Sequence, residues 1–239
     1  MKQFKFFSAI TLVAGSLFFS SCNGDEKKTD NVTVSTDSSA VNKTEPPAKP
    51  GNLVIIKHKV ANFAKWKTAY ESHDSTRQAY GLHNYIVARG LKDSNMVMVV
   101  LKMDDTTKAK QFAALPDLKA AMQKGGVMGA PSFLYLDVQM IDTSANAPTR
   151  VIVTHKVKDW DAWKKSFDSH KQTRLDAGMT DRAISYSVGD THTVTVAFVI
   201  NDMKKAEAFM ASKDLKDKMA ESGVVGPPDI FFYNVVQKY

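Results

Sequence analysis

Cysteine is almost absent. The 239-residue chain has one, Cys22, so no internal disulfide can form, and the fold must rest on burial of apolar surface. No apolar run long enough to span a bilayer is seen at the N-terminus either: the stretch from Phe6 to Phe19 falls short of the roughly 20 residues a spanning helix needs. A dense basic run with interleaved aromatics is also missing. The net charge is +7, but Lys alternates with Asp and Glu throughout, which argues against a nucleic-acid partner. No His-x-x-x-His or Cys-x-x-Cys spacing occurs, so no metal site is expected. No glycine-rich phosphate loop follows a strand, and there is no nucleophile elbow, so neither flavin nor nicotinamide is implied. What remains is an ordinary globular balance, 44% hydrophobic and 24% charged.

Residues 1–21 read as a secretory signal. Lys2 and Lys5 give the positive start, the apolar run follows, and the small residues Ser20 and Ser21 precede Cys22. The stretch Leu17-Phe18-Phe19-Ser20-Ser21-Cys22 resembles a bacterial lipobox, with Phe19 where leucine is usual. The resemblance implies that Cys22 is lipidated and that its acyl chains are the membrane partner, at about 0.8 kcal/mol per buried methylene. The acidic pair Asp25-Glu26 resembles the surface-export signal of Bacteroidetes lipoproteins. The implied location is the cell envelope, at the outer membrane, on its periplasmic or surface face. Residues 22–51 are rich in Ser, Thr, Asp, Lys and Pro, and carry too little apolar surface to offset the entropy of ordering. They are expected to be a disordered tether, stiffened near Pro46-Pro47.

The rest of the chain is written twice. His58-Lys59-Val60 recurs as His155-Lys156-Val157, Trp66-Lys67 as Trp163-Lys164, Ser72-His73 as Ser169-His170, and Asp117-Leu118-Lys119 as Asp214-Leu215-Lys216. The offset is a constant 97, from 58 to 155 as from 131 to 228, with no gap. Roughly a third of the aligned positions are identical, far above chance over such a span. The two copies occupy 52–141 and 150–239, joined by a polar linker at 142–149.

Each copy has the same order of elements. Leu53-Val54-Ile55-Ile56 and Val151-Ile152-Val153 open as β-branched strands. Asn62 and Asp159 are N-cap residues for the helices that follow, and Gly81 and Gly178 are their C′ stops. In the first helix Trp66, Tyr70, His73 and Arg77 fall at i, i+4, i+7 and i+11, on one face. Two strands are expected next, Tyr85–Ala88 and Met96–Met103, with Ala183–Val188 and Thr193–Ile200 in the second copy. A second helix follows, Thr106–Lys124 with a kink at Pro116, or Met203–Glu221. Gly-Val-x-Gly-x-Pro then leads to a last strand, Phe133–Val138 or Ile230–Val235. This βαββαβ order predicts an α+β fold of two tandem ferredoxin-like repeats. The strand Ile230-Phe231-Phe232-Tyr233 is apolar at both parities, so both its faces should be buried. Each sheet has one face without helices, and two copies can cover each other there. The expected arrangement is an intramolecular pseudo-dimer closed as an α/β barrel, monomeric as a chain.

The run Val157-x-Asp159-Trp160-Asp161-x-Trp163-Lys164-x-x-Phe167-Asp168-x-His170, then Arg174, Gly178 and Gly223-Val224-Val225-Gly226-Pro227-Pro228, resembles the dimeric α/β-barrel superfamily. The likeness is greatest to uncharacterised bacterial members near the antibiotic-biosynthesis monooxygenases. That superfamily includes cofactor-free monooxygenases, haem-degrading enzymes, isomerases and proteins with no known reaction, so fold alone does not choose an activity. Its haem-degrading members hold iron through a histidine on the second helix. Neither second helix here has one, which disfavours haem, and no cofactor is expected.

Eight residues form the candidate ligand site: His58, Trp66, His73 and Arg77, and their equivalents His155, Trp163, His170 and Arg174. The strand histidines share the parity of Val54, Ile56 and Val60. Each faces either the cleft under the helices or a carbonyl in the core. The arginine fork suits a carboxylate or phenolate, histidine can act as acid or base, and tryptophan can wall a flat ligand. Packing explains the same pattern: Trp and Tyr in the core, with His and Arg at a solvated edge. Two functions stay open. One is a binding lipoprotein for a small aromatic or anionic molecule. The other is a cofactor-independent monooxygenase or isomerase, in which His58 or His73 deprotonates an aromatic substrate and Arg77 holds its anion.

Overall fold

The computed structural model describes residues 50–239; the secretory signal, Cys22 and the tether up to residue 49 lie outside them. The first copy runs β1 (Leu53–Val60), α1 (Phe63–Ser72), α2 (Asp74–Ala79), β2 (Leu82–Gly90), β3 (Met96–Met103), α3 (Thr106–Ala113), α4 (Pro116–Lys124) and β4 (Val127–Ile141). The second runs β5 (Thr149–Val157), α5 (Trp160–Ser169), α6 (Lys171–Asp176), β6 (Met179–Ser187), β7 (Asp190–Ile200), α7 (Met203–Ala211), α8 (Lys213–Glu221) and β8 (Val224–Lys238). All eight strands pair antiparallel in one closed barrel, in the order β1-β3-β2-β8-β5-β7-β6-β4. Among the described residues no helix is long and apolar enough to cross a membrane.

Side-chain alternation along each strand divides the apolar residues between two faces. On β1, Leu53 and Ile55 point into the barrel lumen, where they pack with Ile86, Met98, Leu136 and Tyr233. Val54, Ile56 and Val60 point out to the helices of the first copy, around Trp66 and Phe112. The second copy repeats this helix-side core around Trp163 and Phe198. The last strand is covered on both faces only in part: Phe232 packs with the helix-side core and Phe231 and Tyr233 with the lumen, but Ile230 is exposed.

Local signals place the first helices. The Asn62 side chain accepts from Lys65 N, and that of Asp159 from Ala162 N. Gly81 and Gly178 take φ of 66° and 71°, a region closed to most side chains.

Three expectations need correction. The first helix does not run through to Arg77; it breaks at His73 and at His170, which end α1 and α5 and begin α2 and α6. The second helix is two helices in both copies. Pro116 starts α4 as its first-turn proline, and in the second copy Ser212 caps α8 by accepting from Leu215 N. The last strands are 15 residues long and include the Gly-x-Pro stretch. Their length serves two partners: β4 pairs with β1 and then with β6 of the other copy, and β8 pairs with β5 and then with β2.

Candidate functional site

Strand parity carries His155 out of the lumen and under the helices of the second copy, beside Val153. It is 7% exposed, and neither ring nitrogen has a hydrogen-bond partner. Burial lowers its pKa to about 4, so the imidazole is neutral at pH 7 and presents one donor and one acceptor. Trp163 lies 5.6 Å away, tilted, and stacks in turn on Phe167 at 5.0 Å. His170, at the joint of α5 and α6, and Arg174 on α6 complete one wall. Phe209 and Met210 of α7, Leu215 and Met219 of α8, and Ile230 of β8 close the other. The cavity has a volume of about 120 Å³. An apolar cavity of about 150 Å³ is known to take up benzene, so this one suits a single aromatic ring.

The first copy builds the same wall from the same types. His58, Trp66, His73 and Arg77 line one cavity together with Tyr70 and Phe112. His58 is 5% exposed, lacks partners at both nitrogens, and burial takes its pKa to about 4. His73 has a buried, unpartnered Nδ1, and its pKa is lowered by burial and by the nearby Arg77, against Asp117. This cavity is smaller, about 50 Å³. The end that Ile230 and Pro228 line in the second copy belongs here to a separate groove, beside Phe133 and Pro131. Thus all eight sequence-selected residues come together, four at each of two equivalent cavities. The strand histidines are not bonded to a core carbonyl.

The arginines are spoken for, which corrects the expectation that their forks face a ligand. The break at His73 leaves the Tyr70 carbonyl without the i+4 amide a continuous helix would supply. Arg77 Nη1 donates to it at 2.7 Å. Arg77 Nη2 donates to Asp74 at 3.0 Å and Nε to the Asn84 side-chain oxygen at 3.2 Å. In the second copy Arg174 Nη1 donates to the Phe167 carbonyl at 2.6 Å. Its Nε and Nη2 grip both oxygens of Asp181 at 2.8 and 2.7 Å. The guanidinium groups also lie over the Tyr70 and Phe167 rings, at 3.8 and 3.6 Å. They are buried braces, not a solvated edge. Sequence reading missed their carboxylate partners, although the repeat held the signal: Asp74 aligns with Lys171 and Asn84 with Asp181, so the counter-charge moves from helix to strand.

Haem does not fit. No histidine stands on α3, α4, α7 or α8, and the space is that of one ring. Among the described residues no group of three or more His, Cys, Asp or Glu could hold a metal ion.

No protein-family model matches the chain, and no curated protein matches it. Solved structures do. A candidate monooxygenase of Fusobacterium nucleatum subsp. nucleatum is 15% identical, with a TM-score of 0.52, over 78% of this chain and 92% of that one. An anthrone oxidase-like protein gives 14% and 0.52, over 79% and 92%. A candidate chlorite dismutase gives 14% and 0.52, over 77% and 94%. At such identity the likeness speaks to the fold alone: the chain shares the α+β barrel fold of these structures, with an eight-stranded antiparallel sheet.

Proposed function

We propose that this chain is an exported lipoprotein, anchored through Cys22 at the outer membrane, whose two βαββαβ copies pack as a pseudo-dimer and bind a small single-ring aromatic molecule in the cavity of the second copy. The observation that carries the binding reading is His155. A neutral imidazole with two unpaired nitrogens is buried in an apolar cavity large enough for one ring. An unpaired buried polar group costs about 1–3 kcal/mol, and a ligand hydroxyl or ring N–H would recover that cost. Trp163, Phe167 and Phe209 supply the flat apolar walls. The pseudo-dimer reading is supported by the strand order, in which β4-β1-β3-β2 and β8-β5-β7-β6 are the same four-strand sequence.

Phenol, compared with benzene, tests the binding. Titration calorimetry should show one phenol per chain, bound at least tenfold more tightly than benzene, with the difference lost in His155→Leu. Equal affinity for phenol and benzene, or an unchanged preference in the variant, would sink the reading. Lipidation is tested separately: Cys22→Ala protein should leave the membrane fraction, and unchanged partitioning would exclude the anchor.

A cofactor-independent monooxygenase or isomerase is the second reading, favoured by the names of the fold neighbours. It would ask His58 or His73, or their equivalents His155 or His170, to act as general base, and the arginine that would hold the anion is already bonded within the protein. A base with a pKa near 4 is poorly matched to a phenol near 10, which is why binding is preferred.

A further inference from the structure

A third cavity, of about 50 Å³, lies inside the barrel, away from the helices. The two copies treat it differently. At four lumen positions the first copy has Leu53, Ala88, Met98 and Leu136, and the second has Arg150, Ser185, Thr195 and Tyr233. A fifth pair sets Tyr85 against Arg182. Ile152, Ala183 and Ala197 of the second copy keep most of the cavity surface apolar, but at these positions the first copy supplies mostly hydrocarbon and the second polar or basic side chains. Packing alone does not ask for this, because the first copy shows that hydrocarbon serves.

The two arginines are buried, at 3% and 8% exposure, and among the described residues neither makes an ion pair with a carboxylate. The other buried arginines, Arg77 and Arg174, each have one. Arg150 Nε donates to the Ala147 carbonyl at 3.2 Å, and the Tyr233 side chain lies near its guanidinium. Arg182 Nη1 donates to the Asp142 carbonyl and Nη2 to the Tyr85 hydroxyl at 2.7 Å, while its Nε is buried with no partner. The Asp142 carboxylate is close enough to feel Arg182, but it is bonded to the Ser144 amide and hydroxyl at 2.8 and 2.5 Å. Two like charges therefore line one cavity with only neutral hydrogen-bond partners, and burial and then the nearby Arg182 lower the pKa of Arg150 from its ordinary value.

We infer that the lumen binds one small monoanion, a halide or a short carboxylate, between Arg150 and Arg182. The donors are in place. Arg182 Nε–H has no partner, and the Tyr85 oxygen already accepts from Arg182, which leaves its phenol hydrogen to donate. The volume limits the guest to the size of a bromide or formate. This site does not depend on the aromatic cavity, and it stands or falls separately.

Thermal unfolding of the full-length protein in sodium gluconate, replaced stepwise by sodium bromide at constant ionic strength, tests it. Gluconate is too large for the cavity. Tm should rise with bromide and follow the logarithm of its concentration above Kd, and the rise should vanish in Arg182→Gln. No rise, or an equal rise in the variant, would overturn the site. If Arg182→Gln does not fold, crystals of the wild type in bromide decide: an anomalous peak between Arg150 and Arg182 supports the inference, and its absence refutes it.

Discussion

Arg182 donates through Nη2 to the hydroxyl of Tyr85 at 2.7 Å, and the two residues are 97 positions apart, the spacing of the repeat itself. They occupy the same place in the two copies. A side chain can meet its own counterpart only close to an axis that relates the copies, so this contact supports the proposed pseudo-dimer. It also yields a prediction. Tyr85→Phe leaves a buried guanidinium nitrogen without its acceptor and should lower unfolding free energy by about 1–3 kcal/mol in urea denaturation.

Stability should fall on mild acidification. The native pKa of His58 and of His155 is about 4, below the unfolded value of 6.5. Between those values the unfolded chain takes up protons that the native chain does not. Stability is therefore held above about pH 6.5 and is lost as pH falls toward 4. At about 1.4 kcal/mol per unit, each histidine contributes on the order of 3 kcal/mol to this loss. Urea midpoints measured from pH 7 to pH 4.5 check it, and His155→Leu should flatten the slope by about half.

The counter-charge of the brace arginine should be movable. Asp181→Asn removes the counter-charge and one of the two acceptor oxygens of buried Arg174 and should cost about 3–5 kcal/mol. Adding Lys171→Asp recreates the arrangement of Asp74 and Asn84 in the first copy and should restore much of that loss. A double-mutant cycle with a coupling below about 0.5 kcal/mol would refute the exchange.

Two glycines at positive φ should differ in tolerance. At Gly178, with φ of 71°, an added Cβ would meet Asp202 Cβ at 2.7 Å and its backbone nitrogen at 3.0 Å. At Gly189, with φ of 80°, it would meet nothing within 4 Å. Gly189→Ala should cost only the conformational strain, about 1–2 kcal/mol, and Gly178→Ala clearly more. Comparison of the two melting temperatures tests the order.

The mouth of the second cavity should govern ligand entry. Ile230→Phe installs the residue of the first copy, Phe133, and should weaken phenol binding by at least tenfold with little change in Tm. Unchanged affinity would place the ligand elsewhere.

Much of this protein was determined by local rules that the sequence states outright. The 97-residue repeat, the parity that sends His58 and His155 beneath the helices, the Asn62 and Asp159 caps and the glycine stops depend on neighbours a few positions away. Only the tertiary structure decided the rest. Periodicity runs unbroken through His73 and His170, yet the helices break there. Arg77 and Arg174 donate to the carbonyls at these breaks, and their counter-ions sit one turn back on the same helix, Asp74, or on the neighbouring strand, Asp181. The 15-residue strands reach past their own copy because their partners lie in the other one. The unequal cavities and the basic half of the lumen arise where residues far apart in the chain meet, and no window of sequence contains both sides of such a contact.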